Sequence, residues 1–346
     1  MPAHRGARRA NLPEHTVNYR IPSGTRDILP DEQRELRAIE AALLGTFGSF
    51  GYGEVATPAV EYEETLRAGG VGALPSYRVL DDHGEPLALR ADMTVPIARL
   101  VGTRYGAAEP PLRFCYFANA YRVVRPHRGQ MREFLQAGIE LVGAPGAAGT
   151  AEALTVLCRA LEATGLRRFQ VGLGDASLYP ALLEAYAVPA AARDQLLEEL
   201  SSRDFVGLDR EIGSLGLAEE AARTLREVPR LRGGAEVLDD GEGPVGSALA
   251  GLREVLALLD PDIADRVIVD LGRAPRLGYY TGAMFEVYDP ELGEPIGGGG
   301  RYDELIGRFG RPLPAVGFAL GVDHLHAALA GEEQGPQTVP PPERSA

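Results

Sequence analysis

The chain has 346 residues, 45% hydrophobic and 24% charged, the balance of a soluble globular protein long enough for two domains. Its formal charge is −14, from 49 acidic against 35 basic residues, which opposes general binding to phosphate backbones. Every basic residue is an arginine. The lack of lysine excludes a Walker-type P-loop and Schiff-base or pyridoxal chemistry, and leaves chemistry that uses arginine as a fixed-charge clamp.

Cys115 and Cys158 stand far from any CxxC spacing, and the histidines form no HExxH. His324 and His326, two apart, are a poor helical pair for one metal. No zinc site, disulfide framework or other resident metal or cofactor is therefore expected. No apolar run reaches the length of a membrane span, and the basic start (Arg5, Arg8, Arg9) leads into no apolar signal region. The expectation is a cytoplasmic protein that does not engage a membrane.

In chain order, residues 1–20 are polar and basic without periodicity and read as a flexible arm. A helix is predicted over 31–50, with Asp31 as N-cap and Leu36, Ile39, Leu43, Phe47 and Phe50 at steps of three and four. Two strands are predicted over 112–124 and 132–142, joined by a hairpin loop at Arg125 to Gly129. In the first, Phe114, Tyr116, Ala118 and Ala120 share one face, and Cys115, Phe117 and Tyr121 the other. In the second, Leu135, Ala137, Ile139 and Leu141 point into a core, while Arg132, Phe134, Gln136, Gly138 and Glu140 share the opposite surface. A helix over 151–164 places Leu154, Leu157, Cys158 and Leu161 on its buried face, so Cys158 reads as core. Residues 180–258 carry several helical patterns and read as an inserted helical subdomain. Strands are then predicted at 267–271, 283–288 and 315–320, with a helix near 303–309 and another opening at Gly321. The domain plan is an arm (1–20), a first core segment (21–179), the helical insertion (180–258), a second core segment (259–330) and a disordered tail (331–346).

Polar residues that share a strand face are the most informative positions. A half-buried strand rarely places Arg132, Gln136 and Glu140 on one side unless that side lines a cleft or carries a polar network. Arg122 and Arg132, both on strands, are the better anion-binding candidates, while Arg125 and Arg128 read as a solvated loop. The run Gly297 to Gly300 reads either as a phosphate-cradling loop or as a tight turn, and the missing lysine favours the turn. The pair Tyr279 and Tyr280, taken alone, reads as core material.

These segments together resemble histidyl-tRNA synthetase and its paralogues, proteins with the class II aminoacyl-tRNA synthetase catalytic fold. GTRDILP (24–30), with the helix behind it, is similar to the first family motif, and LRADMT (89–94) to the LRPEGT segment. YRVVRPHRGQMREFLQAGIELVG (121–143) resembles motif 2, and YYTGAMFEV (279–287) the histidine-specific YYTG segment. GGGGRYDELIGRFG (297–310) and AVGFALGVDHL (315–325) resemble the last glycine segment and motif 3. The resemblance implies an α+β fold, an antiparallel sheet flanked by helices with a helical insertion. It also implies a histidine pocket made of Asp92, Thr94, Gln136, Glu140, Tyr279 and Tyr280. In that pocket acids and amides hold the α-ammonium, and Glu140 with a tyrosine takes the imidazole.

Departures from the family pattern fall on ATP handling. Val124 stands at the motif 2 glutamate, Asp323 and His324 at the motif 3 Glu-Arg pair, and Pro275 at the arginine of RGLDYYTG, with Arg276 one place along. Adenylate formation relies on positive charge held against the phosphates, so two missing arginines remove much of that stabilisation. The chain also ends soon after motif 3, where the synthetases continue into an anticodon-binding domain. A retained amino-acid pocket beside a broken ATP clamp resembles the regulatory-subunit branch of ATP phosphoribosyltransferase. That branch implies no catalysis of its own and no tRNA. It implies a homodimer through motif 1, a short-form ATP phosphoribosyltransferase catalytic subunit as partner, and histidine as effector in the first step of histidine biosynthesis. A ligase with residual adenylation activity and a free-standing histidine sensor are the alternatives.

Overall fold

A computed structural model describes residues 20–71, 75–124, 131–238, 244–274 and 278–334. The amino-terminal arm, the hairpin loop with Arg125 and Arg128, Pro275 and Arg276, and most of the carboxy-terminal tail lie outside the described residues.

Helix α1 (Pro30–Ser49) buries Leu36, Ile39, Leu43 and Phe47 of the stripe its periodicity predicts, while Phe50, expected on the same stripe, is the C-cap and is exposed. Its start differs from the expectation. Leu29 is the N-cap, and no side chain caps the helix. Pro30, whose fixed φ suits the first helical position, sets the start, so Asp31 falls inside the first turn, where its charge favours the helix dipole. Short strands β1 (Gly53–Glu54) and β2 (Val60–Tyr62), helix α2 (Glu63–Ala68), strands β3 (Arg78–Leu80) and β4 (Pro86–Leu89), and helix α3 (Thr94–Arg104) follow. The long hairpin is β5 (Leu112–Tyr121) against β6 (Glu133–Val142), paired from Leu112 opposite Val142 to Tyr121 opposite Glu133.

Helix α4 (Gly146–Ala163) begins well before the predicted residue 151, because small residues that read as loop, such as Ala147, are buried in its first turns. Cys158 is fully buried on its inner stripe with Leu154, Leu157 and Leu161. Burial, the largest cause, pushes the Cys158 thiol up to about 12, which leaves it inert as a nucleophile at neutral pH. After β7 (Gln170–Asp175) come helices α5 (Leu178–Ala185), α6 (Ala190–Ser201), α7 (Phe205–Ser214) and α8 (Glu219–Glu227), strand β8 (Arg232–Gly233), and helices α9 (Pro244–Ala257) and α10 (Pro261–Ala264). Strands β9 (Val267–Asp270), β10 (Ala283–Tyr288), β11 (Gly297–Arg301) and β12 (Ala315–Gly321) lead to helix α11 (Val322–Gln334), which runs past the expected end of the ordered chain.

The main sheet has nine strands in the order β1-β5-β6-β12-β11-β10-β7-β9-β8, and β2-β4-β3 form a separate small sheet. Pairing is antiparallel except for β1 with β5 and β7 with β9. One face of the main sheet packs on α1, α4 and the helices of 178–257 in a single large core that includes Ile139, Leu154, Leu182 and Leu208. The other face, with Phe114 and Tyr116 of β5, packs on α2 and α3 in a smaller cluster that includes Tyr279 and Tyr302.

Two expectations fail here. The glycine run is neither a turn nor a phosphate loop. It is β11, a central strand between β10 and β12. Sheet pairing on both sides satisfies its backbone, and neighbouring chains come so close that a Cβ on Gly299 would lie 2.1 Å from the Gly317 carbonyl oxygen. The helix expected near 303–309 is only a 3₁₀ turn, Ile306–Phe309.

Candidate functional site

The site is built on the sheet face opposite the main core. Glu140 lies mid-strand on β6, only 2% exposed, opposite Phe114 of β5 and Gly317 of β12. A Cβ on Gly317 would stand 2.0 Å from Glu140 Oε2, so only glycine at that register leaves room for the carboxyl group. The Thr94 hydroxyl, at the first residue of α3, donates to Glu140 Oε1 at 2.7 Å, and the Tyr302 hydroxyl donates to Oε2. Asp92 is buried just ahead of α3 and accepts the Val95 amide at 3.2 Å, a position the helix N-terminus favours for negative charge. Gln136, two residues before Gly138 on the same β6 face, is buried with its Oε1 lacking a hydrogen-bond partner.

The tyrosines close the pocket. Tyr279 is buried and Tyr280 half-buried, their rings 5.0 Å apart, and Tyr279 meets Tyr302 edge-on at 5.7 Å. Tyr116, fully buried, fills the space beneath, near the Phe318 carbonyl. The predicted set Asp92, Thr94, Gln136, Glu140, Tyr279 and Tyr280 thus comes from three separate stretches of chain. Asp92, Thr94, Glu140, Tyr279 and Tyr280 are linked by contacts or by mutual electrostatic influence. Sequence reasoning missed Tyr302 and Tyr116. Tyr302 sits inside the quoted GGGGRYDEL segment, and a phenol beside two buried strands was the available signal.

Burial dominates the electrostatics. It raises the Glu140 carboxyl well above the usual carboxylate range, with Asp92 adding to the rise and Thr94 opposing it. It also raises Asp92, against the pull of the Val95 amide and the Arg122 charge. The phenols of Tyr116, Tyr279 and Tyr280 are pushed above their ordinary value for the same reason, and so stay protonated. The pocket is one of acids, hydroxyls and an amide oxygen, suited to a ligand that brings N–H donors and positive charge.

The two anion candidates are predicted on strands, but β5 ends at Tyr121 and β6 begins at Glu133, so Arg122 and Arg132 lie just beyond the paired ladder, where the hairpin opens into its loop. Arg122 is exposed and stacks on the Phe134 ring at 4.8 Å, and its charge reaches Asp92. Arg132, just ahead of β6, packs against the loop before α1. Its amide donates to the Gly24 carbonyl at 2.6 Å, Gly24 has φ +78°, and the Arg132 Nε is buried without a partner. Asp323 accepts Arg26 at 2.7 Å, and His324 is exposed with Nδ1 3.0 Å from the Pro295 carbonyl oxygen. Neither carries a fixed positive charge into the pocket. Among the described residues, no cluster of three His, Cys, Asp or Glu side chains is arranged to hold a metal ion, and no helix is long and apolar enough to cross a membrane.

The mixed sheet with this pocket on its open face is the catalytic core of the histidyl-tRNA synthetase class, and the histidyl-tRNA synthetase family model matches residues 24–325. A crystal structure from Bacillus halodurans, described as an ATP phosphoribosyltransferase regulatory subunit/histidyl-tRNA synthetase, superposes with a TM-score of 0.84 at 33% identity, covering 90% of this chain and 84% of that one. The ATP phosphoribosyltransferase regulatory subunit of Moorella thermoacetica is 40% identical over 95% of this chain and 85% of its own length. That of Symbiobacterium thermophilum is 41% identical over 91% and 80%. Within the synthetase-like class, the chain belongs to the family of ATP phosphoribosyltransferase regulatory subunits, and its role is regulatory rather than catalytic.

Proposed function

We propose that this chain is a histidine-sensing subunit that docks a short-form ATP phosphoribosyltransferase catalytic subunit, is needed for its activity, and confers feedback inhibition by histidine. The observation that carries the reading is the buried Glu140 carboxyl, held by Thr94 and Tyr302 beside Asp92 in a pocket rich in acids and phenols. Free histidine offers what that pocket lacks: an α-ammonium for Asp92 and Gln136, and imidazole N–H groups for Glu140 and a tyrosine. Assembly as a homodimer through α1 and the motif 1 segment belongs to the same proposal, as does cytoplasmic operation without tRNA, cofactor or membrane. With Val124, Pro275 and His324 at the ATP-handling positions of the synthetases, the bound histidine acts as a signal and is not activated.

The test is phosphoribosyl transfer by the short catalytic subunit, measured with and without this chain across a histidine titration. The reading expects the chain to raise the rate and histidine to lower it. If neither happens, the regulatory assignment fails. Histidine-dependent ATP–pyrophosphate exchange by the chain alone, at a synthetase-like rate, would promote the residual-ligase alternative.

A further inference from the structure

A second cavity, of about 490 Å³, opens on the same sheet face as the histidine pocket, three strands further along. The register runs from Gly138 through Ala319 and Gly298 to Glu286, which places Glu286 of β10 on the face that Glu140 shares. Arg203, Arg232, Asp270, Arg273, Glu286 and Tyr288 supply its charged and polar walls. Leu200 and Pro295 supply apolar ones.

Its floor is built around an arginine. Arg273 is 5% exposed and lies across β7, where a Cβ on Gly172 would come 2.4 Å from its Nη2. It donates to the Tyr288 hydroxyl at 2.9 Å and to Glu286, and its Nε–H is buried without a partner. Arg203, held in the left-handed region at φ 57° between α6 and α7, pairs with Asp270 at 2.7 Å. A non-glycine residue persists in that conformation only where its surroundings fix it. Arg232, on the short edge strand β8, is exposed, and its side chain has no ion pair or hydrogen bond among the described residues. Three guanidiniums thus face two carboxylates, a local positive excess in a chain of net charge −14.

We propose that this cavity is a binding site for a small phosphorylated organic molecule of the phosphate monoester class. A guanidinium fork matches phosphate oxygens in bidentate fashion: Arg232 on the rim has no competing carboxylate among the described residues, and Arg203, shared with Asp270, adds a second donor that a dianionic phosphate engages better than a carboxylate does. The volume exceeds what an inorganic anion fills and lies in the range of small-molecule pockets, so the remaining space and the apolar walls take the organic part. The proposal rests on no part of the histidine reading.

The probe is ribose 5-phosphate, titrated into the full chain by calorimetry at fixed ionic strength, with inorganic phosphate and ribose in parallel arms. Ribose 5-phosphate is expected to bind more tightly than either. Arg232→Gln, an exposed change that leaves the fold alone, is expected to weaken it about tenfold, the loss of one charge-assisted hydrogen bond. Arg223→Gln, outside the cavity, and Glu140→Gln, in the histidine pocket, are expected to leave it unchanged. No binding of ribose 5-phosphate, unchanged affinity in Arg232→Gln, or inorganic phosphate binding as tightly as the ester would each overturn the proposal.

Discussion

Glu140 holds a carboxyl group where water does not reach, with a hydroxyl on each oxygen. Burial raises both Glu140 and Asp92 above their unfolded values of about 4.3 and 3.9. The folded state therefore keeps these protons to higher pH than the unfolded chain does. The stability they contribute is complete below the unfolded values and is lost as pH rises through the raised ones. Urea midpoints are accordingly expected to fall with rising pH across that window, with a shallower fall in Glu140→Gln. Equal slopes in the two proteins would show that Glu140 titrates normally. A cationic ligand favours the ionised carboxyls, so histidine binding should release protons, read by calorimetry in buffers of different ionisation enthalpy. Tyr302→Phe removes the donor to Oε2 and is expected to cost about 1–3 kcal/mol of stability and to weaken histidine binding. Denaturation and titration of that variant check the two effects separately.

At the scale of elements, the site depends on how closely strands and helices approach. Gly317 of β12 leaves the space that the Glu140 carboxyl occupies, and the added methyl of Gly317→Ala would meet it at 2.0 Å, with the Ile139 carbonyl oxygen at 2.4 Å. Overpacking of this kind costs about 1–3 kcal/mol, and the thermal midpoint of the variant measures it. Helix α1 packs on the face of the sheet opposite the site, with Leu43 fully buried in the main core. Leu43→Ala is expected to cost about 2–5 kcal/mol without altering the polar groups of the pocket. A denaturant midpoint that barely moves would mean that α1 is not part of the cooperative core.

At the scale of the whole molecule, one open sheet face carries the acidic pocket at β6 and the arginine-lined cavity at β10. A feedback subunit needs histidine to favour one state of the complex over another, and couplings of this kind are typically about 1–3 kcal/mol. Binding free energies are reciprocal, so the catalytic subunit should shift histidine affinity by the same factor by which histidine shifts subunit affinity. Titrating histidine into the chain with and without the catalytic subunit measures one limb, and titrating the subunits at fixed histidine measures the other. Affinities that shift in neither titration would mean that histidine and the catalytic subunit are not coupled, and Glu140→Gln abolishing the shift would place the effect at this pocket.

Much of this was legible in the residues themselves. The period-two alternation of 132–142 placed Gln136 and Glu140 opposite Ile139 and Leu141, and the helical stripe of α1 identified its buried side, because local periodicity reports which face meets a core. The missing lysines and the motif departures bore on chemistry, since they depend only on which residues are present. Tertiary structure decided the rest. Tyr302 joins Glu140 across 162 positions, a contact no local pattern encodes. The run Gly297 to Gly300 became a central strand because pairing with β10 and β12 satisfies its backbone and overrides the turn preference of glycine. Arg273, Arg203 and Arg232 surround one cavity only because β8 joins the far edge of the sheet and the turn between α6 and α7 folds over it, a meeting fixed by long-range packing and invisible in the order of residues along the chain.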